Sequence, residues 1–135
     1  MLIESIVRKT LGLKRHCVES VKDEKGKLVV YLTPHKRHKL ICSGCHERAS
    51  GYDTLSVRRW KHVPLWGIPV ELVYAPRRVE CRACGVKVEE IPWAQGKSPL
   101  SISLSMVLAT WSKLVAWQVV GRIFGVTRDV HEIIT

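Results

Sequence analysis

Acidic residues are scarce in this sequence. Twelve Asp and Glu stand against 22 Lys and Arg in 135 residues, a formal charge of +10. The natural partner of such a chain is a polyanion, because DNA carries one charge per ~1.7 Å of axis. The alternative is a basic protein whose charge serves solubility alone. Long apolar runs are missing too. None approaches the ~20 residues a membrane span needs. Met1–Lys14 carries Glu4, Arg8 and Lys9 within its apolar pattern, so it lacks the h-region of a secretory signal. An even cysteine count is also absent. Five cysteines fit a reducing compartment better than a disulfide scaffold, so the expected location is the cytoplasm, in association with the nucleoid. Only three aspartates occur, Asp23, Asp53 and Asp129, and none sits where it would build a two-metal carboxylate cluster. With no nucleophile–base pair to name, an enzyme is the least supported class.

What is present is a pair of Cys-x-x-Cys motifs, Cys42-Ser43-Gly44-Cys45 and Cys81-Arg82-Ala83-Cys84. Thiolates grouped two and two suit one tetrahedral, structural Zn²⁺ with no open position for catalysis. Each pair can grip the metal from a tight turn, and Gly44 and Gly85 stand where such turns want no Cβ. Four thiolates and one Zn²⁺ would bring the net charge to about +8. A thiol–disulfide role is the rival reading, but it usually needs one CxxC rather than two. His46, next to Cys45, could be a substitute ligand, a hydrogen-bond partner of a sulfur, or a solvent-facing side chain. Cys17 is left over and reads as a small packed side chain.

The fold class expected is α+β: a β-rich C4 zinc module with zinc-ribbon-like hairpins, then a helical helix–turn–helix unit. Apolar spacing predicts an amphipathic helix over 3–11, stopped by Gly12. His16–Val21 and Lys27–Thr33 read as strands joined by a turn at Gly26. Leu28, Val30 and Leu32 would share one face, and Val29 and Tyr31 the other. Residues 46–54 are polar and read as a loop. Val57–Val63 and Val70–Tyr74 read as a second strand pair, with Pro64–Pro69 irregular between them. Arg77–Val79 leads into the second knuckle. Pro92, Gly96 and Pro99 mark a boundary that divides the chain into 1–95 and 96–135. Trp60, Trp66 and Trp93 are expected to pack in the core or across that linker, with base stacking by any of them the alternative.

Ser98 can cap a helix with Pro99 at its first position. Leu100, Leu104, Val107, Leu108, Trp111 and Val115 form its stripe. A second helix, Trp117–Phe124, ends at Gly125, and a third begins after Thr127. That order has the form of a helix–turn–helix whose last helix would carry Arg128 and His131 to base edges. A helical tail that only packs is the competing reading. Basic residues cluster around the knuckles: Lys36, Arg37 and Lys39 before the first; Arg58, Arg59 and Lys61 on the strand that follows it; Arg77, Arg78 and Arg82 at the second. Any one of these can simply cover apolar surface. As a group they point to phosphate. Arg58 and Trp60 would face one way, and Arg59 and Lys61 the other.

The combined pattern resembles the N-terminal region of ISL3-family transposases. The matching strings include Cys42-x-x-Cys45, Gly51-Tyr52-Asp53-Thr54-Leu55, Val63-Pro64-Leu65-Trp66-Gly67, Arg77-Arg78-Val79-x-Cys81-x-x-Cys84-Gly85 and Pro92-Trp93-Ala94-x-Gly96-Lys97-Ser98-Pro99-Leu100. The resemblance implies a zinc-dependent module that binds double-stranded DNA at transposon terminal inverted repeats, ahead of a DDE catalytic domain that these residues do not include. A truncated transposase is the expectation, with a homodimer or the full-length transposase as possible partners. A stand-alone zinc-ribbon regulator, or an RNA- or protein-binding module, is the alternative.

Overall fold

In a computed structural model, residues 2–115 and 117–125 are described. The chain opens with α1 (Leu2–Leu11), followed by eight strands: β1 (His16–Glu24), β2 (Lys27–Pro34), β3 (Leu40–Ile41), β4 (Arg48–Thr54), β5 (Arg58–Leu65), β6 (Ile68–Tyr74), β7 (Arg77–Cys81) and β8 (Gly85–Val88). Two helices come last, α2 (Ile102–Ser112) and α3 (Trp117–Phe124). The strands form two four-stranded sheets, ordered β1-β2-β6-β5 and β3-β4-β7-β8. The class is mixed α+β and strand-rich, as the sequence reading expects.

α1 buries Val7 and Leu11 and ends where the pattern breaks. Gly12 sits at φ 63; its N–H bonds the Lys9 carbonyl, and the Leu13 N–H bonds that of Arg8. This is the double hydrogen bond of a Schellman stop, and the buried Leu13 supplies its apolar contact.

The first sheet joins two antiparallel hairpins through a parallel seam, with Leu28 opposite Val70 and Tyr31 opposite Val73. Its inner face collects Val30, Leu32, Trp60, Val70, Leu72 and Tyr74, and Trp93 closes over them. Trp60 and Trp93 meet edge to face at 5.6 Å, and Tyr74 and Trp93 at 5.3 Å, the arrangement that ring quadrupoles favour. Both tryptophans are core residues, as expected. Trp66 is not: it stands 83% exposed at the β5–β6 tip.

Two further expectations are corrected. Residues 46–54 are not a loop, because β4 occupies Arg48–Thr54. Six of its seven residues are exposed, so no alternation marks it, and its order comes from pairing with β3 and β7. Pro64–Pro69 is not irregular either. β5 continues to Leu65 and β6 starts at Ile68, with Leu65 paired to Ile68 around a two-residue turn. The register shift between His62 and Leu65 accommodates the prolines, since a bulge removes the demand for a ladder N–H.

α2 begins later than the sequence pattern places it. Ser101 is the cap: its Oγ accepts the Leu104 N–H at 3.1 Å, while Ser98 Oγ accepts only that of Leu100. The segment before the helix is stitched to β5, with the Lys61 N–H bonding the Pro99 carbonyl and the Ser101 N–H bonding that of Lys61. Leu100, Leu104 and Leu108 pack with Val120 of α3 and against Val63. Trp111 and Val115, the far end of the same stripe, are exposed. His62 lies buried under the cap with Nδ1 2.8 Å from Ser101 Oγ. Burial lowers its pKa to about 4. α3 matches its expected bounds and ends at Gly125, which is left-handed at φ 69.

Candidate metal centre and basic surface

The second sheet has little to hold it together besides sulfur. Its buried cluster is Cys42, Val79 and Cys81, with Leu40, Cys45, Ala49 and Cys84 partly buried beside them. Cys42 and Cys45 flank a turn after β3; Cys81 ends β7, and Cys84 precedes β8. The β4–β7 pairing carries one knuckle back to the other.

The ligand sulfurs of Cys42, Cys45, Cys81 and Cys84 all lie within 4.8 Å of one another, and Cys45 and Cys81 approach to 3.5 Å. A tetrahedron of Zn–S bonds of ~2.3 Å sets sulfurs roughly 3.8 Å apart, so the cluster has the right size. Backbone donors already point at it, the Gly44 N–H lying 3.3 Å from Cys42 Sγ. Without a cation the four thiols are inequivalent. N–H groups of Cys84 and Ala83 draw Cys81 down to about 7, while the sulfur of Cys45 and burial push Cys84 up to about 12. Four thiolates so close need a cation to ionise together, and Zn²⁺ removes that conflict. Gly44 is also required: a Cβ there would stand 3.0 Å from Cys84 Sγ. Gly85 answers a different need, a turn at φ 79.

His46 is outside the sulfur cluster, exposed, with Nδ1 3.1 Å from Glu90 Oε1. Cys17 is half-buried on β1, away from the other cysteines.

Sequence reasoning assigned no role to Glu89, which proves to be a hub between the sheets. It is 3% exposed, follows β8, and bridges Cys42 through the backbone. Its carboxylate accepts from Tyr74 Oη at 2.6 Å, from the Arg77 N–H at 2.8 Å and from the Arg77 guanidinium at 3.0 Å, with His16 Nε2 at 3.2 Å. Burial alone would raise its pKa, but the donors outweigh burial and hold it near 2. Those donors come from three strands, and no local pattern could have flagged the residue.

The basic residues divide into held and free. Arg58 lies over the Trp60 ring at 4.6 Å and reaches the Gly96 and Ser98 carbonyls, pinning the 92–99 segment to β5. Arg59 meets Glu71 at 2.5 Å, and Lys27 holds the same carboxylate at 2.6 Å. Arg77 is committed to Glu89. Arg78 pairs with Asp53, whose pKa it lowers. Lys61 donates to the Gly125 carbonyl at 3.2 Å. Lys36, Arg37 and Lys39, in the exposed stretch between β2 and β3, have no side-chain acceptor among the described residues; the Arg37 backbone N–H bonds His35 Nδ1. Arg82 is exposed within the second knuckle. As expected, Arg58 shares a face with Trp60, while Arg59 and Lys61 are exposed. Arg128 and His131, and the third helix expected after Thr127, lie outside the described residues.

With the sulfur cluster in place, the comparison with known families becomes specific. Residues 39–84 match the family model described as the zinc-finger of transposase IS204/IS1001/IS1096/IS1165. No curated protein and no solved structure matches the chain. The matched segment begins just before the first knuckle and ends on the last ligand, so it contains all four sulfurs. The four sulfurs suit one structural Zn²⁺, within a segment similar to a transposase zinc finger. Four protein ligands fill the tetrahedron, so the metal has no position for substrate. Among the described residues, no helix is long and apolar enough to cross a membrane.

Proposed function

We propose that this chain is the zinc-dependent DNA-binding portion of a transposase, recognising the terminal inverted repeats of its element. The observation that carries the reading is the four-sulfur cluster, lying wholly within a segment that matches a transposase zinc finger. The net charge of +10 supports it. Lys36, Arg37 and Lys39, with no side-chain acceptor among the described residues, lead the phosphate contacts. Arg58, Arg59, Lys61, Arg77 and Arg78 first position strands and loops, and contribute through whatever N–H groups remain. Arg128 and His131 read base edges from the helical part, the two functions dividing near residue 95. Residues 1–135 bind DNA without cutting it, and a second copy or the complete transposase is the expected protein partner.

The test is selection from a library of duplexes by the zinc-loaded chain and by the chelated chain. Enrichment of one site family, only with zinc, is the expected result. With about six phosphate contacts, log K against log[salt] should slope near roughly −5. Equal affinity for RNA of matched length, or binding indifferent to zinc, would overturn the proposal in favour of an RNA- or protein-binding ribbon. Cleavage of transposon-end DNA by the chain with Mg²⁺ would refute the non-catalytic part.

A further inference from the structure

Trp66 is 83% exposed at the tip of the β5–β6 hairpin, beside Ile68, which is 41% exposed. Its backbone is left-handed at φ 49, and Gly67 follows at φ 78. Two consecutive left-handed residues make the turn that suits a two-residue hairpin, and the first place normally falls to Asn, Asp or Gly. A bulky side chain there crowds its own carbonyl. The fold therefore accepts strain at this position and leaves the indole in water, where it makes no core contact. Strain kept at an exposed aromatic side chain is a mark of use.

The neighbouring tip repeats the geometry. Lys25 at φ 53 and Gly26 at φ 78 turn β1 into β2. Because β2 and β6 run parallel, with Leu28 opposite Val70, the two tips leave the same end of the sheet side by side. An indole and an ammonium thus project together. Glu24, on the Lys25 hairpin, accepts the Tyr31 hydroxyl, and Lys25 has no acceptor among the described residues. A protein interface would need about 800 Å² from each partner, far more than one ring and one isoleucine on a narrow turn supply. A base needs only one aromatic face, and the phosphate beside it needs one cation.

We propose that Trp66 stacks on an unpaired or unstacked base of bound DNA while Lys25 meets the adjacent phosphate. The inference rests on the DNA-binding reading above and adds a second contact surface, at the end of the first sheet. The experiment uses the zinc-loaded full chain and a short labelled duplex, either perfectly paired or carrying a small central bubble. Trp66→Asn installs the Asn–Gly pair that this turn prefers, so its Tm should rise by a few degrees. Its affinity for the bubbled duplex should fall about tenfold or more. The salt slope should not change, because no charge is lost. Trp66→Phe should keep most of the affinity.

A Trp66→Asn chain that binds the bubbled duplex as tightly as the parent overturns this inference alone. A parent chain that binds neither duplex overturns this inference and the DNA-binding proposal together. Self-association of the parent, abolished in Trp66→Asn when followed by sedimentation, would reassign the tip to a protein contact and overturn stacking.

Discussion

Behind the first sheet, the described residues include eleven buried side chains, two of them tryptophans; behind the second there are three, and two of those are cysteines. Both sheets have four strands. One holds its shape by removing apolar surface from water; the other has almost none to remove. In the second sheet, sulfur occupies the place of leucine and valine, and without a cation those sulfurs repel as thiolates or leave a poor core as thiols. The contrast sets a scaffold with its own apolar core beside one whose core is mostly sulfur, with the buried carboxylate of Glu89 bridging the two.

Removing the metal should break the comparison most completely. Structural Zn²⁺ contributes an apparent ~10–16 kcal/mol in small zinc modules, as much as the whole stability of many domains. Chelation, or Cys81→Ser, should abolish amide-exchange protection over 40–54 and 77–88 while protection over 16–34 and 58–74 persists. Uniform loss over all four stretches would show that the sheets fold as one unit.

The converse experiment attacks the other side. Trp60, on the edge strand β5, is fully buried in the core of the first sheet. Trp60→Ala should cost about 3–5 kcal/mol in denaturant unfolding, the cavity adding to the lost transfer energy. The metal should still bind at one ion per folded chain. If zinc content fell in step with stability, the second sheet would depend on the first more than its cluster implies.

A finer contrast uses pH. His62 sits under the α2 cap, remote in sequence from the sulfurs, with a folded pKa near 4 against an ordinary 6.5. Between those values the unfolded chain binds more protons than the folded one. Its contribution is therefore full above about pH 6.5 and declines as pH falls toward 4, by about 3 kcal/mol in all. Comparing His62→Gln with the parent removes the shared acid sensitivity of the metal site. The variant should show a flatter stability profile across that window, read by urea unfolding at each pH.

Much of this contrast was legible in the sequence. Each knuckle is local, so four residues announce two ligands and a turn. β1, β2, β5 and β6 carry enough β-branched, aromatic and other apolar residues to be read alone. β4 does not, because almost all of it faces water and only its partners make it a strand. Trp66 was misread for a related reason: Pro64 and Pro69 concealed a hairpin whose tip lies outside the core. The arginines were identified as basic but not as engaged, since Glu71, Glu89 and Asp53 reach them from distant parts of the chain. Charge can be counted along a chain; pairing requires the fold. The cap of α2 slipped from Ser98 to Ser101 because both serines suit the position, and only docking on β5 decides between them.

The parallel seam between β2 and β6 has a consequence for biosynthesis. β2 is complete at Pro34, but its neighbour is not finished until Tyr74. At ~5–20 residues per second on the ribosome, the inner edge of β2 stays unpaired for roughly 2–8 s. Throughout that wait it offers open backbone donors and acceptors to any nascent chain nearby. Overproduction in crowded translation should therefore favour inclusion bodies, and slower initiation should favour soluble yield.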